Sequence, residues 1–379
     1  MQNEILNDLM DYIRREGNDR KLIGYFNHEF LPPELITAAG GMPLPLIFKG
    51  SEDKTAIGSS YLTPSMCPFA LSQLGSFENQ NQGQDPTVEV YKQIDAIIST
   101  TYCTANTLVT EWIGDQFSIP VFNLYIPYLQ REHHIALYTR QLKTLYNKLC
   151  AFTNTQPEPE SICTQIGNYQ RFYSRVRSVL DSERKNNRRL DLVHRATLFG
   201  PAGSDYVGLP TEKVNAKVQL DGNGSVPLML TGASVFIGDP LYTYIDEADG
   251  QIIYDNTWLY QPFWNANGMK VDFEASGKDP FDYFAEMYRD RNSSPHVSAE
   301  NNQVKALVDD IYNIAQKYKI KGIINHILKF CDITGHHRQY FKTALSRRGI
   351  PVLNLERDYS SGMRGQLRTR IEAFIEMIS

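Results

Sequence analysis

The sequence predicts an α/β protein of two similar domains, each a mostly parallel sheet flanked by helices, joined by a helical segment. Three observations carry that reading. Short apolar strand runs alternate with segments of helical periodicity in two separate stretches, and such alternation gives parallel sheets covered on both faces. Between about residues 131 and 198 strand signals vanish, and residues 137–152 and 160–181 carry helical periodicity with mixed charge. At 379 residues the chain is long enough for two cores of ordinary size. The expected divisions are residues 1–130, a helical connection over 131–220, and 221–379, with Asp221-Gly222-Asn223-Gly224 as a turn or linker.

The elements follow in order. Leu6, Leu9, Met10 and Ile13 repeat at helical spacing, so the chain opens with an amphipathic helix. Residues 22–25 read as a strand. Pro32-Pro33-Glu34 then opens a helix, because proline is tolerated and a carboxylate favoured in a first turn. Gly40-Gly41 stops it, and residues 43–48 form the next strand. A Ser/Gly/Thr-rich loop leads to Cys67 within Pro64-Ser65-Met66-Cys67-Pro68, which enters a short helix. Residues 96–100 are a strand, 106–117 a helix and 121–126 a strand.

The second alternation starts with a strand at 226–231, then Gly232, a helix over 241–248 and a short strand at 252–254. A helix over 304–318 carries Leu307, Ile311 and Ile314 on its apolar positions. Residues 322–328 are a buried strand, 339–348 a helix and 352–355 a strand. The last helix, 365–378, puts Leu367, Ile371, Phe374, Ile375 and Ile378 on one face.

Composition excludes several classes. Apolar content of 42% and charged content of 21% belong to a globular chain. A formal charge of −5 argues against a nucleic-acid surface. The first segment carries Asn3, Glu4, Asp8 and Asp11 among its apolar residues and so lacks a secretory h-region, and no apolar run is long enough to span a bilayer. Five cysteines scattered along the chain do not read as a disulfide framework. A cytoplasmic location is the expectation.

Two cysteines share one context. Cys103 follows the strand at 96–100 and Cys331 the strand at 322–328, where loops converge and ligands bind in open α/β sheets. Cys67 stands in a loop entering a helix, whose N–H groups stabilise thiolate and sulfide charge. Such a trio could grip one face of an iron–sulfur cubane. Taken singly, each cysteine reads as a small buried hydrophobe, and Cys150 and Cys163, inside helical segments, keep that reading.

Other motifs are weaker. Gly232-Ala233-Ser234 follows a strand, but Phe236 stands where a nucleophile elbow needs glycine. There is neither GxGxxG nor a Walker A sequence. His133-His134 and His336-His337 are adjacent pairs that diverge on a helix. Either of the second pair, so close to Cys331, could donate a proton over a cluster, although a solvated loop is the simpler reading. Arg184, Lys185, Arg188 and Arg189, and likewise Arg364, Arg368 and Arg370, could hold the phosphates of a ligand. Solvated helical faces and interdomain ion pairs explain them more simply. His28, Glu29 and Glu34 could supply an acid or base, with Glu34 more simply a first-turn carboxylate.

A resemblance sharpens the cysteines. Ile23-Gly24-Tyr25, the run from Pro32 through Pro43, Lys329-Phe330-Cys331-Asp332, Gly349-Ile350-Pro351, and the end from Glu356 through Asp358-Tyr359 and Gly365 to Met377 resemble the 2-hydroxyacyl-CoA dehydratase/benzoyl-CoA reductase family over nearly the whole chain. The resemblance implies a [4Fe-4S] cluster on three cysteines, by position Cys67, Cys103 and Cys331. It also implies a homologous second subunit, an ATP-hydrolysing iron–sulfur activator protein that injects one low-potential electron, and an acyl-CoA thioester substrate. In the dehydratases that electron makes a ketyl radical of the thioester, which permits loss of the β-proton and the hydroxyl. In the reductases electrons enter an aromatic ring.

Thr104 stands where family members often have Asp, and no cysteines are left for a double cubane, so one cubane per chain is expected. The N-terminal segment is similar to the smaller dehydratase subunit, whose cluster passes an electron on, while the larger subunit's cluster meets the substrate. The resemblance therefore implies a dehydratase subunit first. Alternatives are an aryl-CoA reductase subunit and an electron relay without a substrate site of its own. Three positioned cysteines argue against a degenerate member that has lost its cluster.

Overall fold

Two four-stranded sheets, parallel throughout, organise the described residues of the computed structural model, which are 2–17, 19–26, 30–78, 86–129, 131–210, 224–265, 273, 277–289 and 301–379. The first sheet holds β1 (Leu22–Tyr25), β2 (Met42–Pro45), β3 (Ala96–Thr100) and β4 (Val121–Leu124) in the order β2-β1-β3-β4. The second holds β5 (Val226–Gly232), β6 (Gly250–Thr257), β7 (Gly322–Leu328) and β8 (Val352–Arg357) in the order β6-β5-β7-β8. Each half therefore repeats one topology, and in each the strand order reverses between its first and third strands. The predicted fold class is borne out. The proposed boundaries at 130 and 220, the linker residues Asp221, Gly222 and Asn223, and the candidates His28 and Glu29 lie outside the described residues.

Strands covered by helices on both faces are near-continuous apolar runs. β1, β3, β5 and β7 are buried along their whole length. β2 carries Pro43 and Pro45, which remove ladder donors, and it lies at a sheet edge where that is tolerated. It ends three residues before the predicted limit. Ile47 and Lys49 instead hydrogen-bond to Ile237, at 3.1 Å in each case, tying the two halves together. β6 runs over eight residues where only 252–254 read as strand. Asp255, Asn256 and Thr257 look like turn residues, yet they are buried and bonded: Tyr242 donates to the Asp255 carboxylate and Gln261 to the Asn256 amide oxygen.

Helices Glu132–Thr153, Pro159–Ser182 and Asn186–Phe199 form the helical segment, as predicted. Helix Pro280–Arg289, not predicted, packs Phe281, Phe284 and Tyr288 into the core of the first half, and Tyr288 donates to the Pro127 carbonyl. One apolar cluster runs through both halves. Phe69 stacks on Phe236 with centroids 4.1 Å apart, joining a helix of the first half to a loop of the second.

Helix Pro33–Ala38 opens with Glu34 in its first turn, as expected, but the carboxyl is buried rather than solvated. Burial pushes it up to about 7, against a smaller downward pull from its own backbone N–H. Tyr25, Tyr169, Tyr173 and Tyr283 feel its charge, each displaced upward chiefly by its own burial. A raised value means that the folded chain holds this proton more tightly than the unfolded chain. The resulting stability is full below about pH 4.5 and is lost as pH rises towards 7. Glu34→Gln should keep the packing and flatten that loss, by about 3 kcal/mol on crossing the window. Thermal melts of the two proteins at pH 5 and pH 8 test it; equal pH slopes would refute it.

Candidate functional site

All three cysteines predicted to act together line one cleft, with about 850 Å³ of space open to solvent. Cys67, Cys103 and Cys331 share its wall with Phe69, Tyr102, Asn106, Tyr128, Trp258, Phe330 and His336, among others. Cys103 and Cys331 occupy equivalent places. Each stands three residues beyond the third strand of its half, at the carboxyl end of a strand bordering the order reversal.

Each of the three also begins a helix. The Cys67 carbonyl accepts from Leu71 N–H at 3.1 Å, that of Cys103 from Thr107 at 3.0 Å and that of Cys331 from Gly335 at 2.8 Å. Those are the first bonds of helices Pro68–Glu78, Thr104–Phe117 and Asp332–Gly335, so all three cysteines are N-caps. N–H groups of Phe69 and Ala70 face the Cys67 sulfur, and those of Ile333 and Thr334 the Cys331 sulfur, partly offsetting burial. Neither Cys103 nor Cys331 closes an ordinary side-chain capping bond. The sulfurs of Cys67 and Cys331 are thus held towards positive backbone dipoles at a helix start.

Electrostatics without a metal favour the protonated thiols. Burial pushes Cys67 up to about 12, with the neighbouring Cys331 adding to it, and burial raises Cys331 as well. Two thiolates here would repel in a poorly solvated place; a bound metal cation relieves both costs by taking the sulfurs as anions. None of the five cysteines is in a disulfide. Among the described residues no three His, Cys, Asp or Glu side chains meet closely enough to hold a single ion. The three cysteines line one cleft, and a multi-iron group, whose irons each take one thiolate, does not require them to meet at a single point.

Phe330 sets the position of Cys331. Its φ of 58° is costly for an aromatic residue, about 1–3 kcal/mol, and it turns the chain so that Cys331 N–H reaches the Leu328 carbonyl at 3.1 Å. The ring is left 54% exposed at the cleft, as Tyr128 is at 48%, so the mouth is rimmed by aromatic surface.

The sequence matches the family profile described as 2-hydroxyglutaryl-CoA dehydratase, D-component, over residues 29–378. The chain belongs to this family. Putative dehydratase subunit YjiM of Escherichia coli (strain K12) is 30% identical over 117 residues, which are 30% of this chain and 29% of that protein. The match thus spans less than a third of that relative's length. Family membership bears out the resemblance read from both ends of the sequence.

The other candidates of this dehydratase-family chain sort by place. His336 lines the cleft, and its Nδ1 donates to the Asp332 carbonyl at 2.6 Å. His337 turns inward, where burial holds it down to about 4. His133 and His134 do not diverge as expected; their rings lie 3.9 Å apart in a first helical turn, away from the cysteines' cleft. Cys150 is buried in the first half's core and Cys163 is half-buried; neither lines the cleft.

Arg184, Lys185 and Arg188 border a shallow pocket with Ser225, Gly250 and Gln251, at the amino ends of β5 and β6. The cleft lies at the carboxyl ends, a strand length of roughly 20 Å away. Arg189 points inward and donates to the Ile253 carbonyl at 3.3 Å. Arg368 pairs with Glu372 and Glu247, and Arg370 donates to the Asn354 carbonyl at 2.7 Å. Ser234 is buried and accepts from Leu259 N–H at 3.1 Å, so Gly232-Ala233-Ser234 is packing. Glu34 lies outside the cleft. Nothing in the spacing of Tyr102, Asn106, Tyr128 and Trp258 separates them in sequence from ordinary core aromatics and helix residues.

Proposed function

We propose that this chain is the iron–sulfur subunit of an (R)-2-hydroxyacyl-CoA dehydratase, holding one 4Fe–4S cluster on Cys67, Cys103 and Cys331. The observation that carries the reading is the convergence of three N-cap cysteines, far apart in sequence, on one cleft. When bound, the cluster supplies a one-electron centre of low potential. The chain's own part is to hold it: the helix starts after Cys67 and Cys331 point N–H groups at those sulfurs, and Phe69, Tyr102 and Trp258 exclude water from the inner wall. An ATP-hydrolysing activator is the proposed electron donor and a homologous subunit the proposed partner. The match to a dehydratase component favours 2-hydroxyacyl-CoA over aryl-CoA as substrate.

Anaerobic purification or reconstitution should give a brown protein with about four irons per chain. A colourless, iron-free protein after reconstitution would overturn the cluster. Turnover of 2-hydroxyacyl-CoA against aryl-CoA thioesters, with partner and activator present, separates dehydratase from reductase.

A further inference from the structure

A buried hydroxyl beside one proposed ligand has no ordinary partner. Thr334 is 1% exposed, and its Oγ1 has no hydrogen-bond partner of ordinary geometry. Several other helical threonines spend this hydroxyl on the carbonyl four residues back, among them Thr37 on Pro33, Thr107 on Cys103, Thr110 on Asn106 and Thr139 on Ile135, at 2.9–3.2 Å. Thr334 does not use the Phe330 carbonyl in this way. Thr334 is the third residue of the helix that Cys331 caps, which sets its hydroxyl beside the Cys331 sulfur, where it draws the thiol downward against burial. An unpaired buried hydroxyl is a cost that folding alone does not justify.

We propose that Thr334 is a positioning residue for the cluster: its hydroxyl donates to the Cys331 thiolate once iron is bound and sets the cluster's reduction potential. The inference rests on the cluster reading above. A donor at a ligating sulfur withdraws electron density and favours the reduced, more negative state, so it raises the potential. The backbone N–H groups of Ile333 and Thr334 supply a fixed part of that effect, and the hydroxyl supplies a part that one substitution can remove.

The test uses the full chain, reconstituted anaerobically as wild type, Thr334→Val and Thr334→Ser. Each is titrated with mediators while the EPR signal of the reduced cluster is followed, and each apoprotein is melted. Thr334→Val should load iron fully, shift its midpoint to more negative potential and alter the EPR line shape, while Thr334→Ser keeps the wild-type midpoint. Apo Thr334→Val should melt no lower than wild type, because a methyl replaces an orphaned hydroxyl of the same shape. A loaded Thr334→Val with the wild-type midpoint overturns this inference alone. A wild type that binds no iron removes the reading beneath it.

Discussion

Cys103→Ser is expected to strip the protein of most of its iron, from about four per chain to fewer than about two, without lowering the stability of the apoprotein. Serine is a poor iron–sulfur ligand but a better N-cap than cysteine, and position 103 is an N-cap whose carbonyl already accepts from Thr107. The helix start should hold or tighten while the metal site fails. Cys150→Ser should do the reverse. Cys150 is 1% exposed in an apolar cluster with Leu142, Leu145 and Leu149, so a hydroxyl there costs roughly 1–3 kcal/mol and leaves iron unchanged. Iron analysis and thermal melting of both variants read the two effects separately. Equal iron loss in both would show that the variants fail through folding, and the assignment of Cys103 would be lost.

How far this was readable in sequence differs between the cysteines. Cys103 and Cys331 follow strands whose limits, 96–100 and 322–328, come straight from continuous apolar runs, and the switch-point rule then gives their place. Their capping role follows from the same boundary. Cys67 was harder, because the residues before it read as loop. Ser51, Thr55, Gly58 and Ser59 are small and polar, and that composition hid helix Glu52–Ser59. A start signal was nonetheless present: Ser51 caps it, its Oγ accepting from Lys54 N–H at 3.2 Å, and Glu52 and Asp53 fill the first turn. The polar end of β6 failed for the opposite reason, since tertiary partners such as Tyr242 and Gln261 satisfy side chains that would otherwise favour a turn. Thr334 could not be found from sequence, because its significance is a bond it does not make.

The small residues that hid that helix predict the largest effect on the fold around Cys67. Helices Glu52–Ser59 and Pro68–Glu78 cross with backbone nearly touching backbone, and Cys67 ends the connection between them. A Cβ on Gly75 would lie 1.9 Å from the Lys54 carbonyl oxygen, and one on Gly58 would lie 2.1 Å from that of Leu71. Thr55 and Ser72 exchange a hydroxyl bond of 2.8 Å across the same contact. Because the obstacle is main chain rather than a side chain that can swing away, Gly75→Ala cannot be relieved by a rotamer change. It should cost more than the about 1–3 kcal/mol of ordinary overpacking, and by prising the helices apart it should displace Cys67 and lower bound iron. Gly365 supplies the control. It sits in helix Met363–Ile378 with nothing within 4 Å of an added Cβ, so Gly365→Ala should gain up to about 1 kcal/mol from helix propensity. Opposite shifts in melting temperature for the same chemical change would locate the cause in the helix crossing rather than in glycine itself. A wild-type melt for Gly75→Ala would mean that the two helices can separate freely, and that the placement of Cys67 does not depend on their contact.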